Sequence, residues 1–198
     1  MKTFFRAAQA ASLLVAVFLF VVCGKKEETK IAENENKPAT AEQAPAEANR
    51  GVVSAKFGNA IVSINYGRPL LKGRDMLAQA TDGIVWRMGM NEATEIKTGV
   101  DLKFGETVIP QGAYSLWMKK ISSGKWHLIF NKKTGIWGHE HPAADDFAEV
   151  PLTMLTNPQA AEQFTIALTA NNENSGTLKA MWGTSILSAD FTASAGTM

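Results

Sequence analysis

Two short stretches of the 198-residue chain bring together side chains able to do chemistry. In Trp86-Arg87-Met88-Gly89-Met90-Asn91-Glu92-Ala93-Thr94 an aromatic ring, a permanent cation, an amide and a carboxylate sit between strand-like runs. Arg87 carries a planar fork that grips an anionic group through two parallel hydrogen bonds, Glu92 accepts hydrogen bonds or protons, and Asn91 can orient what they hold. Trp86, Arg87, Asn91 and Glu92 are therefore candidate binding residues, for a small polar ligand or a protein partner. The architectural alternative makes Arg87 and Glu92 a buried ion pair that locks a loop, with Asn91 satisfying backbone groups. Arg68 and Arg74, in the loop just before, are placed to join either network.

The second stretch is His139-Glu140-His141, with His127, Asp145 and Asp146 as additions. Ligands at i and i+2 share one side of an extended segment. With a third ligand they could hold zinc or a similar ion and support metal-assisted hydrolysis. Histidines in a polar loop are also ordinary solvent-facing residues, and the spacing lacks the helical geometry of an H-E-x-x-H motif. The expectation is no resident cofactor, with the zinc-like ion as the alternative. The tryptophans, Trp86, Trp117, Trp126, Trp137 and Trp182, offer flat faces that could stack on sugars, or they fill a core. Trp137, in an irregular loop, is the expected exception to burial.

Other chemistries find no support. The sequence has no nucleophile elbow, phosphate-binding glycine loop or dinucleotide fingerprint. Residues 51–198 carry 13 basic and 13 acidic side chains, so no basic stripe awaits nucleic acid. The single cysteine, Cys23, excludes an intramolecular disulfide and any multi-cysteine metal site.

The position of Cys23 points to export. Lys2 and Arg6 precede an apolar run from Ala10 to Val22, shorter than the ~20 residues that span a bilayer comfortably. Residues 1–22 thus read as a signal peptide, and Cys23 followed by Gly24 resembles the lipidation site of a bacterial lipoprotein. Val22 departs from the small residue usual before that cysteine. Lipid on Cys23 would make the membrane a partner and place the protein in the bacterial cell envelope. Residues 23–50 are mostly Lys, Glu, Ala, Asn, Pro, Gln and Thr, a composition that predicts a disordered tether after the anchor.

From residue 51 turn signals recur every 8–12 residues. Residues 52–57 and 60–66 read as strands across Gly58-Asn59, with Val62, Ile64 and Tyr66 on one face. Asp75 is placed to cap a short helix over 75–80. In 126–130, Trp126, Leu128 and Phe130 alternate with His127 and Ile129. Residues 131–146 are irregular, and separate strand-like runs follow at 150–155, 164–170, 177–182 and 186–191. The pattern predicts an all-β fold, a single antiparallel β-sandwich or barrel-like domain over residues 51–198.

Several strings resemble one family. Gly67-Arg68-Pro69, Lys72-Gly73-Arg74, the Trp86–Thr94 string, Ile109-Pro110-Gln111-Gly112-Ala113-Tyr114-Ser115-Leu116, and Trp126-His127-Leu128-Ile129-Phe130-Asn131-Lys132 with Trp137-Gly138 resemble the domain of unknown function 2911 family. The resemblance covers most of residues 52–155. It implies a secreted, β-rich bacterial domain and supplies no reaction, substrate or catalytic residue. His139-Glu140-His141-Pro142 departs from the small and aromatic residues that relatives carry there.

Overall fold

Strands form where alternate side chains can be buried on one face, and they stop at glycine, asparagine and proline. The computed structural model describes residues 50–195. The expected signal, Cys23 and the tether up to residue 49 lie outside the described residues.

β1 (Arg50–Phe57) and β2 (Ala60–Gly67) make the expected hairpin, with Phe57 opposite Ala60. Gly58 turns the chain at φ +55°, a left-handed conformation that costs glycine no Cβ clash. Then come β3 (Val85–Trp86), β4 (Thr94–Thr98), β5 (Asp101–Phe104), β6 (Thr107–Ile109), β7 (Gly112–Ser122) and β8 (Lys125–Asn131). Two long strands finish the domain, β9 (Asp146–Asn172) and β10 (Ser175–Ser194). The strand order is β1-β2-β4-β7-β8-β9-β10-β5-β6, with β3 paired to β7. All strand pairings are antiparallel. The fold is all-β and sandwich-like, as the sequence predicts, and the sheet is not closed into a barrel.

β9 and β10 turn this one sheet into two layers. Residues 146–152 of β9 pair with β8, whereas the rest of β9 pairs with β10, whose end pairs with β5. Between the layers lie Val62, Ile64 and Tyr66 from β2, Trp126, Leu128 and Phe130 from β8, and Phe164, Ile166 and Leu168 from β9. Ile129 faces the other way. It packs with Trp117 and Ala93 in a small second core on the outer face, beside Val85 and Ile136.

Two elements differ from the sequence reading. Residues 75–80 form turns and not a helix, although Asp75 Oδ1 does accept the Ala78 N–H at 3.0 Å in the manner of a cap. Leu77 is the one residue of 75–80 that is fully buried, so a helix there would have no apolar stripe to bury. The four expected runs after residue 146 are joined into two continuous strands. Thr156 pairs with Ser185 and Ala161 with Gly183, so residues 157–160 bulge out of the ladder.

Candidate functional site

Trp86 closes β3 with its indole stacked on Trp182, centroids 5.2 Å apart and planes 14° apart, and it meets Phe164 edge-on at 5.0 Å. Beyond it the backbone turns through left-handed conformations at Met88 (φ +51°) and Asn91 (φ +63°). Such values are strained for methionine and persist only where the surroundings over-determine them. Here Thr94 supplies the restraint: its hydroxyl donates to the Met88 carbonyl at 2.7 Å and its N–H to the Arg87 carbonyl at 3.3 Å. The loop backbone also lies directly on the end of β2. A Cβ added to Gly67 would fall 2.2 Å from the Met90 carbonyl oxygen.

The polar side chains of this stretch diverge. Arg87 Nη1 donates to the Gly138 carbonyl at 2.9 Å, and the Gly138 N–H donates to the Asn91 carbonyl at 2.9 Å. Ala93 N–H reaches the Ile136 carbonyl at 3.0 Å, and Glu92 forms an isolated bridge to Trp137. The Glu92 carboxylate pairs with Arg50 Nη1 at 2.7 Å, while Arg50 Nε donates to Asn65 Oδ1 at 2.9 Å. The buried Arg87–Glu92 pair of the architectural reading is therefore not formed. Arg87 clasps residues 136–138 to the loop, and Glu92, half-exposed, ties the start of β1. Arg68 is buried under Gly51, and Arg74 is exposed in its loop.

On the other side of Trp86 an apolar cleft of about 80 Å³ opens at the surface. Trp86, Trp126 and Trp182 wall it, and Met76, Leu77, Ala80 and Ile84 from the loop before β3 complete it. The Trp182 indole N–H is itself buried, without a hydrogen-bond partner among the described residues. Lys120 holds the loop in place: its N–H donates to the Ile84 carbonyl at 3.0 Å and its ammonium to the Ala80 carbonyl. The four loop residues escaped the sequence reading. Met76-Leu77 and Ile84, apolar residues inside a loop rich in glycine and charge, were the available signal.

The histidines do not converge. His141 Nε2 lies 2.8 Å from Asp146 Oδ1, with its ring over Trp117 at 4.9 Å. His127 Nδ1 lies 3.0 Å from Glu149 Oε2, and His139 is exposed. Among the described residues no three His, Cys, Asp or Glu side chains assemble as a ligand group. Asp146 also accepts the amide of the buried Asn131 at 2.8 Å, so the His141 contact pins the irregular loop onto the outer face of the sheet. Of the five tryptophans, Trp117, Trp126 and Trp182 are buried, Trp86 is half-buried and Trp137 is exposed.

A family model described as "Protein of unknown function (DUF2911)" matches residues 48–191, nearly the whole of the sandwich just described. The chain belongs to this family. Neither a search of curated proteins nor a search of solved structures finds a match.

In this DUF2911 domain the cleft loop is fastened to the opposite layer by Asp75. Its Oδ2 accepts the Thr184 N–H at 3.2 Å and the Thr184 hydroxyl at 3.1 Å, next to Gly183 at φ +58°. Burial opposes ionisation of Asp75, but the hydrogen bonds from Ala78, Thr184 and Leu77 outweigh it and hold its pKa below the ordinary value. A carboxylate whose folded pKa is depressed stabilises the fold above its unfolded pKa. That stabilisation is lost as pH falls through the folded pKa. The Tm of the DUF2911 domain should therefore drop on acidification below the ordinary carboxylate range, and Asp75→Asn should flatten the drop. Some slope will remain in the variant. Burial also opposes ionisation of Glu149, yet hydrogen bonds from His127 and Lys119 hold its pKa down. Calorimetry across the acid range checks this, and an Asp75→Asn profile parallel to wild type would refute it.

Proposed function

We propose that this is an exported, lipid-anchored envelope protein whose domain is a non-enzymatic binding module, and that its site is the tryptophan cleft. One observation carries the reading: beside a signature loop whose Arg87 and Glu92 side chains hold Gly138 and Arg50, three indoles wall an open apolar notch. Size then decides the class of ligand. Pockets for whole drug-sized molecules run to roughly 300–1,000 Å³, and the cleft offers about 80 Å³. It accommodates one apolar group, such as a single side chain of a partner or the end of a larger ligand.

Larger hollows support the reading less well. One of about 460 Å³ lies between hairpin turns at the far end of the sandwich, where Gly58, Asn59 and Asn174 line it and Glu173 is its one ionisable side chain. Its one aromatic, Phe57, is almost wholly buried, and it has no cluster of charge to hold a ligand.

The indole N–H signals of isotopically labelled protein, assigned by single Trp→Phe variants, read the cleft directly. Titration with toluene should shift Trp86 and Trp182 saturably while leaving Trp117 unmoved. Ala80→Phe, which fills the notch, should abolish the shifts. Unsaturable shifts, or binding that survives Ala80→Phe, would defeat the proposal. Anchoring is read separately, since labelled palmitate fed to the cells should be incorporated into the protein and Cys23→Ser should abolish the label.

A further inference from the structure

We infer that the end of the domain bearing the cleft is a membrane-docking surface and that its occupant is a lipid bilayer. The inference rests on the anchoring reading but goes beyond ligand capture. Met76 (45% exposed) and Ile84 (43%) form the rim of the cleft, and Leu70 (47%) and Ile121 (39%) stand exposed on flanking segments. These segments share one end of the sandwich. Arg50 pairs with Gly67 there, the loop carrying Leu70, Met76 and Ile84 leaves from Gly67, and Ile84 is bonded to Lys120, the neighbour of Ile121. Several large aliphatic side chains grouped at a tip, beside indoles, form the kind of surface that inserts at the boundary of headgroups and acyl chains.

The charges around the rim do not oppose this occupant. Lys72 and Arg74 are exposed in this loop, and neither is in an ion pair among the described residues. Three carboxylates stand nearby and keep their charge: Asp75, bonded by Ala78 and Thr184, Glu162, bonded by the Lys72 N–H at 3.1 Å, and Asp82, beside Lys120 at 3.8 Å. With Lys120 the three bases and three acids balance, so the docking is carried by the apolar side chains and not by attraction to anionic headgroups.

The place where the chain enters the domain makes docking geometrically easy. Arg50, fixed by Asn65 and Glu92, sits at this same end. Twenty-six residues, Gly24 to Asn49, separate it from Cys23. The composition of those residues predicts a coil, and for a coil of that length the root-mean-square span is roughly 28 Å. Lipid on Cys23 would thus hold the rim close to the bilayer at high effective concentration, where even weak docking is populated.

The test uses the full lipidated protein, in a Trp137→Phe background, reconstituted into phosphatidylcholine–phosphatidylglycerol vesicles with or without acyl-brominated lipid. Bromine should quench tryptophan emission. Met76→Glu with Ile84→Glu should remove the quenching while leaving the circular dichroism spectrum unchanged. Val52→Glu with Ile61→Glu, on the outer face of the first hairpin, should leave the quenching intact. Protein that floats with vesicles but is not quenched, or quenching indifferent to the rim variant, overturns the inference and favours a protein occupant. If the lipidated protein does not float, the anchoring reading fails on its own. A chain starting at Gly24, free of the apolar run over residues 10–22, titrated with the same vesicles then decides docking, with quenching expected and its absence overturning the inference.

Discussion

Gly67→Ala is expected to destabilise the domain by about 3 kcal/mol, seen as a fall of roughly 6–12 °C in Tm. The new Cβ would lie 2.2 Å from the Met90 carbonyl oxygen and 2.6 Å from the Met90 nitrogen. Those are backbone atoms, so no side chain can swing away to relieve the overlap. Gly89 faces the same contact from the other side, its own Cβ position 2.8 Å from the Gly67 oxygen. Relief requires the end of β2 and the signature loop to part, which loosens the bonds that Thr94 makes to Met88 and Arg87. Gly58→Ala is the internal standard. Nothing lies within 4 Å of its Cβ position, and its φ of +55° alone sets the cost, of the order of 1 kcal/mol. Equal losses at the two positions would show that the loop is not packed on β2 as described.

The second large effect is expected at Phe164. Its ring is wholly buried, edge-on to Tyr66 at 5.8 Å, to Trp86 at 5.0 Å and to Trp182 at 5.8 Å. Phe164→Ala removes the common neighbour of all three, and truncations of this kind cost about 3–5 kcal/mol when the site cannot collapse. Collapse is hindered because Tyr66 belongs to β2 in one layer and Trp182 to β10 in the other. Phe164→Leu, which leaves a smaller void, should lose less than half as much. Urea denaturation at fixed pH measures both variants. A loss below about 1.5 kcal/mol for the alanine variant would mean that the indoles close over the gap. The same variant should also deform the cleft, since Trp86 and Trp182 lose the ring that fixes their stacking.

Much of the fold can be read locally. Gly58-Asn59 marks the first hairpin because glycine takes the left-handed turn, and the alternation of Trp126, Leu128 and Phe130 with Ile129 predicts which side chains face between the layers. β9 and β10 are harder to read. Residues 153–162 of β9 are largely exposed on both faces, so the alternation that announces a half-buried strand is missing, and Pro158 sits in the bulge. The Asp75 cap is real, but a cap alone does not make a helix without an apolar stripe. The site follows the same rule. The residue types at Arg87 and Glu92 announce a polar cluster, yet their partners, Gly138 and Arg50, lie 51 and 42 residues away and are chosen by loop packing. Only the folded chain shows that the opening beside the signature is apolar.

The length of the last two strands has a consequence for the order of assembly. β9 belongs to both layers, and β10, the last strand among the described residues, joins β9 to β5. A chain emerging N-terminus first can form the hairpin of β1 and β2 early, but the inner faces of β2, β7 and β8 stay uncovered until residues up to about Phe191 have appeared. Closing pairs so distant in sequence is slow, on the scale of milliseconds to seconds. During that interval the uncovered strands are open to wrong pairing, so the yield of refolding in vitro should fall as the protein concentration rises.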